Sequence, residues 1–446
     1  MARPDTQAIL AAVLSAAKAA GADAADALLV ENVSASVSYR LGKLEDVERA
    51  ESHDLGLRVF VGQKVAFISS TDFSKDSLAQ LPGRAVAMAK LAPEDKFAGL
   101  APRDRLAKSF PQLDIEDKNE PSAETLVEWA RSTEGAAMAV PGITNSEGGG
   151  ASYSRTGVAL ATSEGFYGAY AGTTSGIGVA VVAGEGTGME RDYDQASARH
   201  VSDLESAQAI GRSAGERTVK RLNPRKVKSQ AVPVIYDPRA SSSLVGHLAG
   251  AISGSSIARG VSFLKDMMGK QVFAPSINII DDPHRLRGLR SKPFDGEGVA
   301  NRRWALIENG VLQTWLLDCA SARQLGLETT GHAARGTGGP PSPSTTNLYL
   351  EAGTLTPAAL IADIREGLYV TEMIGMGVNG VTGDYSRGAA GFWIENGAIA
   401  YPVSEITIAG NLKDMFAHMT AANDLEFKHG VNAPTVRIEG MTLAGA

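Results

Sequence analysis

The sequence predicts an α+β fold in two domains, an α/β-mixed N-terminal one and a β-rich C-terminal one with a few helices. Three observations carry this. At 446 residues the chain is too long for one compact core. Period-two alternation runs from Val33, Ala35, Val37 and Tyr39 through Leu44 to Leu57, Val59 and Val61, with helical segments on either side. In the second half, "WALIENGVLQTWLL" (304–317) and "FWIENGAIAYPV" (392–403) share Ile-Glu-Asn-Gly. Asn-Gly supplies the two positive-φ residues of a type I′ hairpin.

The elements follow in order. Residues 6–20 read as an amphipathic helix and alternation near 26–30 as a first strand. "LGK" and "VGQK" are the turns between the next strands. A helix is expected over 74–91, broken or kinked at Pro82-Gly83. Residues 95–121 are charged and proline-punctuated and read as a surface connection. A helix near 123–139 precedes strands over 150–186. Ser202-Asp-Leu-Glu205 has the pattern of a capping box, so a helix is expected from there to about 221. The basic stretch "KRLNPRKVK" (220–228) reads as a linker before the strand "AVPVIYDP", which sets the domains at 1–225 and 226–446. Further helices are expected at 241–252, from Thr356-Pro357 to Gly367, and at 411–423.

Composition excludes several functions. Apolar residues make up 43% and charged residues 21%, with 49 glycines, as in a turn-rich globular chain. A net charge of −7 argues against nucleic-acid binding, which needs a basic surface. One cysteine, Cys319, permits no intrachain disulfide, and a cytoplasmic location is expected. Lys18, Asp23 and Asp26 interrupt the apolar N-terminus, which therefore does not read as a signal peptide. No run of 18 apolar residues exists, so no membrane span is expected.

Candidate chemistry is sparse. His247, in "SSLVGHLAGAISG", has no other histidine between His200 and His284, and reads as a core or cap residue. His418 and His429 stand at no common ligand spacing. Asp281-Asp282-Pro283 reads as a strand end and turn, and Cys319 as an inert buried thiol. "GVTGDYSRGAAG" (380–391) reads as a tight hairpin loop in which Arg387 can grip a carboxylate. Glycine-lined loops and strand edges also leave room for an extended peptide to bind by strand addition.

Several segments in a fixed order carry a resemblance: "GLRVFVGQKVAFISSTD", "ALATSEGF", "FDGEGVANRRWALIENGVLQTWLLD", "PSTTNLYLEAG", "GLYVTEMIGMGVNGVTGDYSRGAAGFWIENGAIAYPVSEITIAGNLKDMF" and "NDLEFKHGVNAPTVRIEGM". Over roughly 20–443 the chain resembles the TldD/PmbA family, also called the modulator-of-gyrase family. That family has two kinds of subunit. The TldD kind is a metallopeptidase with a His-Glu-x-x-x-His helix and a later metal-binding Cys. The PmbA kind, also called TldE, pairs with it in a complex that degrades or trims peptides.

Anchored on Gly260 of "ARGVSFL", the motif's first His falls on Val245, its Glu on Gly246 and its second His on Gly250. None of the three can ligate a metal or take a proton from water. Between "NDLEF" and "APTVRI" only "KHGVN" remains, so the segment carrying the Cys is shortened. The resemblance thus implies a PmbA/TldE-type subunit with no catalytic residue and no metal ligand of its own. Zinc or a similar metal is expected on a TldD-type partner, and extended peptide is the expected substrate. Arg387, Asn347 and Thr346 are the candidate peptide contacts. Two alternatives stay open: a stand-alone metallopeptidase that uses His247 with His284, Asp281 or His429, and a non-enzymatic peptide- or protein-binding regulator. Homodimerisation without the partner is also left open.

Overall fold

The computed structural model describes residues 6–445. Helix α1 (Thr6–Ala19) leads into the long hairpin β1 (Ala24–Arg40) and β2 (Lys43–Val61), followed by β3 (Lys64–Ser70) and α2 (Lys75–Leu91). Then come α3 (Ala123–Met138), β4 (Ile143–Thr162), β5 (Tyr167–Ala183), β6 (Glu190–Ala198) and α4 (Ala207–Lys220). The six strands form one antiparallel sheet in the order β3-β2-β1-β4-β5-β6.

Alternation assigns the two faces of this sheet. Ala25, Ala27 and Leu29 of β1 pack with Leu55, Leu57 and Val59 of β2 under α1 and α2. Farther along the same face Val37, Ala151, Tyr153 and Ile177 meet α3 and α4. Gly211 lets those two helices touch, because a Cβ there would lie 2.1 Å from the Thr133 carbonyl. On the opposite face Leu28 and Leu160 pack with Ala107, Phe166 and Phe294. Phe294 belongs to the second half of the chain, so this face is where the two halves join.

The second half runs β7 (Gln230–Tyr236), α5 (Pro238–Ala251), α6 (Gly254–Ala258), β8 (Ile279–Asp281), β9 (Trp304–Glu308), β10 (Val311–Leu312) and α7 (Cys319–Leu325). It continues β11 (Ala333–Ala334), β12 (Ser342–Pro343), β13 (Leu348–Leu350), α8 (Pro357–Ile361), β14 (Glu366–Ile374), β15 (Asp384–Glu395) and β16 (Ala398–Asn411). It ends with α9 (Leu412–Ala417), β17 (Met419–Ala421), β18 (Val431–Asn432) and β19 (Val436–Ala444). A larger sheet has the order β16-β15-β14-β7-β19-β17, and β16 also pairs with β19, so five strands close on themselves. A second sheet is β10-β9-β8-β13-β18. Helix α5 buries Leu244, Val245 and Leu248 in the core that both sheets share.

The α+β expectation is met. Both Asn-Gly turns have the positive φ pair a type I′ hairpin requires, 49° and 77° at Asn309-Gly310 and 52° and 79° at Asn396-Gly397.

Five local expectations are corrected. Helix α2 runs unbroken through Pro82, which is buried. Segment 95–121 holds one 3₁₀ turn but is not a solvated connection. It buries Ala101, Ala107, Leu113 and Ile115, and Leu106 bridges to Val299. Ser202 does not cap a helix. The cap is Ser206, which accepts from Ala209 N at 3.2 Å, because Glu205, the residue that would reach back to Ser202, is held by Lys428 at 3.0 Å. Thr356 does cap α8, but that helix stops at Ile361 and Gly367 lies in β14, where a Cβ would come within 3.0 Å of the Pro233 carbonyl. The helix expected over 411–423 is only α9, after which the chain turns into β17 to pair with β19.

Candidate functional site

Helix α5 is built by its sequence to present a bare face. Asp237 caps it, its carboxylate accepting from Arg239 N at 2.9 Å, and Pro238 follows at the first turn. Val245 is buried. Gly246 and Gly250, one turn apart, point the other way and are exposed, with nothing within 4 Å of the position a Cβ would take. The helix therefore shows backbone and open space where a longer pair of side chains would project.

His247 sits beside this face, half-buried, its ring edge-on to Tyr385 at 6.0 Å. Burial lowers its pKa, and the charge of Arg387 lowers it further, so the imidazole is neutral at pH 7. His247 Nε2 and Arg387 Nε are both buried without a hydrogen-bond partner among the described residues. Arg387 is not in a loop. Residues 384–391 belong to β15, with Arg387 opposite Ile408 of β16, and the tight loop is confined to the residues before Asp384. The glycines there serve strand packing: at Gly391 a Cβ would meet the Tyr369 carbonyl at 1.9 Å.

The N-terminal end of α5 opens on a cleft of about 470 Å³ between β6 and the loop at 424–433. Arg239 ties its walls, pairing with Asp192 at 3.1 Å and donating to the Tyr193 carbonyl at 3.0 Å. Burial raises the Asp237 carboxyl above the usual range despite the Arg239 amide it accepts. Asp424 anchors the loop through Thr435 N at 2.9 Å and Oγ1 at 2.7 Å.

Thr346 and Asn347 are both buried. Thr346 gives its amide and its hydroxyl to Asp281, each at 2.7 Å. Asn347 Nδ2 donates to the Asp282 carbonyl at 2.7 Å and to Ser291 Oγ at 2.8 Å, and its Oδ1 accepts from Arg290 N at 2.9 Å. The Thr346 hydroxyl is thus taken up by a carboxylate, and the Asn347 amide by two backbone groups and a serine hydroxyl. Asp281 is further occupied by His332 at 3.3 Å, and His284 Nε2 meets Asn301 Oδ1 at 2.8 Å. Cys319 is buried beside Glu297, and burial and that carboxylate push its thiol pKa far up. Among the described residues no three His, Cys, Asp or Glu side chains gather to hold a metal ion.

Compared with known proteins, the chain matches PmbA/TldA metallopeptidase domain 1 over 25–89, the central domain over 116–222 and the C-terminal domain over 229–445. It is 40% identical over 426 residues to the metalloprotease PmbA of Escherichia coli O157:H7, covering 95% of this chain and 92% of that one. A PmbA homologue of Haemophilus influenzae is 38% identical, covering 92% and 90%. This chain belongs to the PmbA/TldD metallopeptidase family. A solved structure from Bacteroides thetaiotaomicron, described as a candidate modulator of DNA gyrase, superposes with a TM-score of 0.93 at 26% identity over the whole of both chains. TldE of Thermococcus kodakarensis shares the fold, with a TM-score of 0.88 at 20% identity, covering 98% of this chain and all of that one.

Family membership gives the α5 geometry its meaning. A metal held from this helix needs side chains that project from it and carry a lone pair. Val245 is turned into the core, and Gly246 and Gly250 bear no side chain. These α5 residues do not fit a metal ion.

The sequence reading missed a buried charge network that joins the two halves. Asp26 on β1 is paired with Arg58 on β2 and with Arg335 at 2.6 Å, and Arg58 also reaches Glu297 at 3.4 Å. Burial opposes the Asp26 charge, but the two guanidiniums outweigh it and hold the carboxyl below the usual range. The signal was available: Asp26 in "ADALLV" and Arg58 in "LGLRVFV" are charges inside apolar strands.

Proposed function

We propose that this chain is the metal-free, PmbA/TldE-type subunit of a peptide-degrading or peptide-trimming complex, and that a TldD-type partner carries the metal. The observation that carries this reading is α5. Val245 is buried and Gly246 and Gly250 are bare, so the helix offers a smooth wall to extended chain and no ligand to a metal. The family's overall name as metallopeptidases supports the peptide substrate, and zinc or a similar ion is the cofactor expected on the partner. That ion would supply an activated water there. This chain's part is to complete the chamber and hold substrate away from bulk solvent. A single cysteine, buried and unpaired, accords with work in the reducing cytoplasm.

The test is reconstitution. The chain and a TldD-type subunit from the same organism are expected to co-elute as one species on size exclusion and to cleave an unfolded peptide together. Separate elution, with no gain in cleavage on mixing, would reject the complex. Recovery of gyrase subunits with the chain, and of no TldD-type protein, would favour the regulator reading.

A further inference from the structure

A second cleft, of about 290 Å³, lies on the other side of the 424–433 loop, between the end of β6 and the turn at 285–289. Three guanidiniums line it, those of Arg199, Arg285 and Arg287, against one carboxylate, Asp203. Arg287 is already neutralised by Asp114 at 2.6 Å and Asp203 at 2.9 Å. Arg199 donates to uncharged acceptors alone: the carbonyls of Gly288 at 3.2 Å, Thr173 at 3.0 Å and Leu289, and Thr174 Oγ1 at 3.3 Å. Its positive charge has no carboxylate partner among the described residues.

Arg285 is the unusual member. Among the described residues its guanidinium makes neither an ion pair nor a hydrogen bond. It lies over the Phe427 ring, 3.4 Å from the centroid, and Tyr349 braces that ring edge-on at 5.1 Å. Stacking fixes the plane of the guanidinium and leaves its N–H edge free. The turn that carries Arg285 is fixed as well. Asn347 binds Asp282 and Arg290 on either side of it, and Gly288 packs so tightly that a Cβ would fall 2.8 Å from the Asn347 amide. A cation held in place with its fork unused is pre-organised for a planar anion.

We propose that this cleft binds an organic carboxylate, with Arg285 as the fork that grips it and Asn347 as the residue that positions the turn. A peptide's terminal carboxylate and an acidic side chain share this chemistry. That the source is a peptide rests on the function proposed above, whereas the carboxylate chemistry does not. Asp203 in the same cleft disfavours a doubly charged phosphate and leaves a singly charged anion as the match.

The test uses the full chain alone, so it is independent of whether a partner subunit is ever found. Calorimetric titration compares four probes: acetyl-trialanine as the free acid, the same peptide as its amide, the amide of acetyl-Ala-Glu-Ala, and inorganic phosphate. Binding of the free acid at least tenfold tighter than its amide assigns the terminal carboxylate, and the same advantage for the Glu-containing amide assigns a side chain. Arg285→Gln is expected to remove that advantage, Arg285→Lys to restore part of it, and Asn347→Ala to weaken acid binding while leaving the amide unchanged. Thermal melts of each variant separate loss of the fork from loss of the fold. Equal binding of acid and amides, phosphate binding as tightly as the acid, or a folded Arg285→Gln that binds the acid as well as the native chain would each overturn the proposal.

Discussion

Asp26→Ala is the perturbation that most directly probes how the two halves are held. The native carboxylate serves Arg58 and Arg335, both almost fully enclosed. After truncation Arg58 keeps Glu297 at 3.4 Å, but Arg335 keeps no ion pair among the described residues, and its Nε is already unpartnered. Breaking a buried pair from one side costs about 3–5 kcal/mol, because the remaining charge stays desolvated. The open arginine places Asp26→Ala at the upper part of that range. Removing both partners should cost less than the sum of the single losses, with a coupling of about 0.5–3 kcal/mol.

Urea unfolding of the native chain, Asp26→Ala, Arg335→Ala and the double variant at pH 7 measures this. The sign of the pH effect is fixed too. A depressed folded-state pKa contributes stability above the unfolded value, about 3.9, that is lost as pH falls through the folded value. The gap between native and Asp26→Ala should therefore close at strongly acid pH. A cost below about 1 kcal/mol, or perfect additivity in the double variant, would mean that the Asp26–Arg335 pair does not hold the halves together.

Three further outcomes are expected. Asp295 runs opposite to Asp26: burial and Glu297 push its carboxyl up to about 7. Its stabilisation is complete below the unfolded value of about 3.9 and is lost as pH rises through the folded one, so Asp295→Asn should flatten the fall in stability between about pH 4 and 7 in pH-resolved melts. Gly211→Ala should destabilise by about 1–3 kcal/mol, since the new Cβ would strike the Thr133 carbonyl, whereas Gly246→Ala and Gly250→Ala, in open helical positions, should stabilise by about 0.4–1 kcal/mol; denaturant midpoints would show both. The Cys319 thiol should react with a disulfide reagent only after unfolding, as its burial and the nearby Glu297 suppress the thiolate.

What the sequence made legible was local. The Asn-Gly tips, the Thr356 cap and the alternation of β1 and β2 are set by short-range chemistry and are found where the residues put them. What it did not show depends on distant partners. Ser202 has every local qualification of a cap, yet the distant Lys428 takes up Glu205, the motif's reciprocal partner, and the helix is capped by Ser206 instead. The "GVTGDYSRGAAG" glycines read as a loop because the strand they build needs glycine only where β14 closes on it. The α5 positions were identified by family resemblance, and the structure adds which way each one faces. Arg285 was not singled out at all, because its significance lies in what it lacks among the described residues, an ion-pair or hydrogen-bond partner for its guanidinium, and in the Phe427 ring that holds it.

The proposed function requires that this chain hold no catalytic metal and work with a subunit that does. Metal analysis of the purified chain after exposure to zinc and dialysis, read beside peptide cleavage by the chain alone, tests it most directly. No stoichiometric metal and no cleavage are expected. One tightly held zinc per chain with peptide cleavage that a chelator abolishes would contradict it, and His247, His284, Asp281 and His429 would then be the residues to examine as ligands.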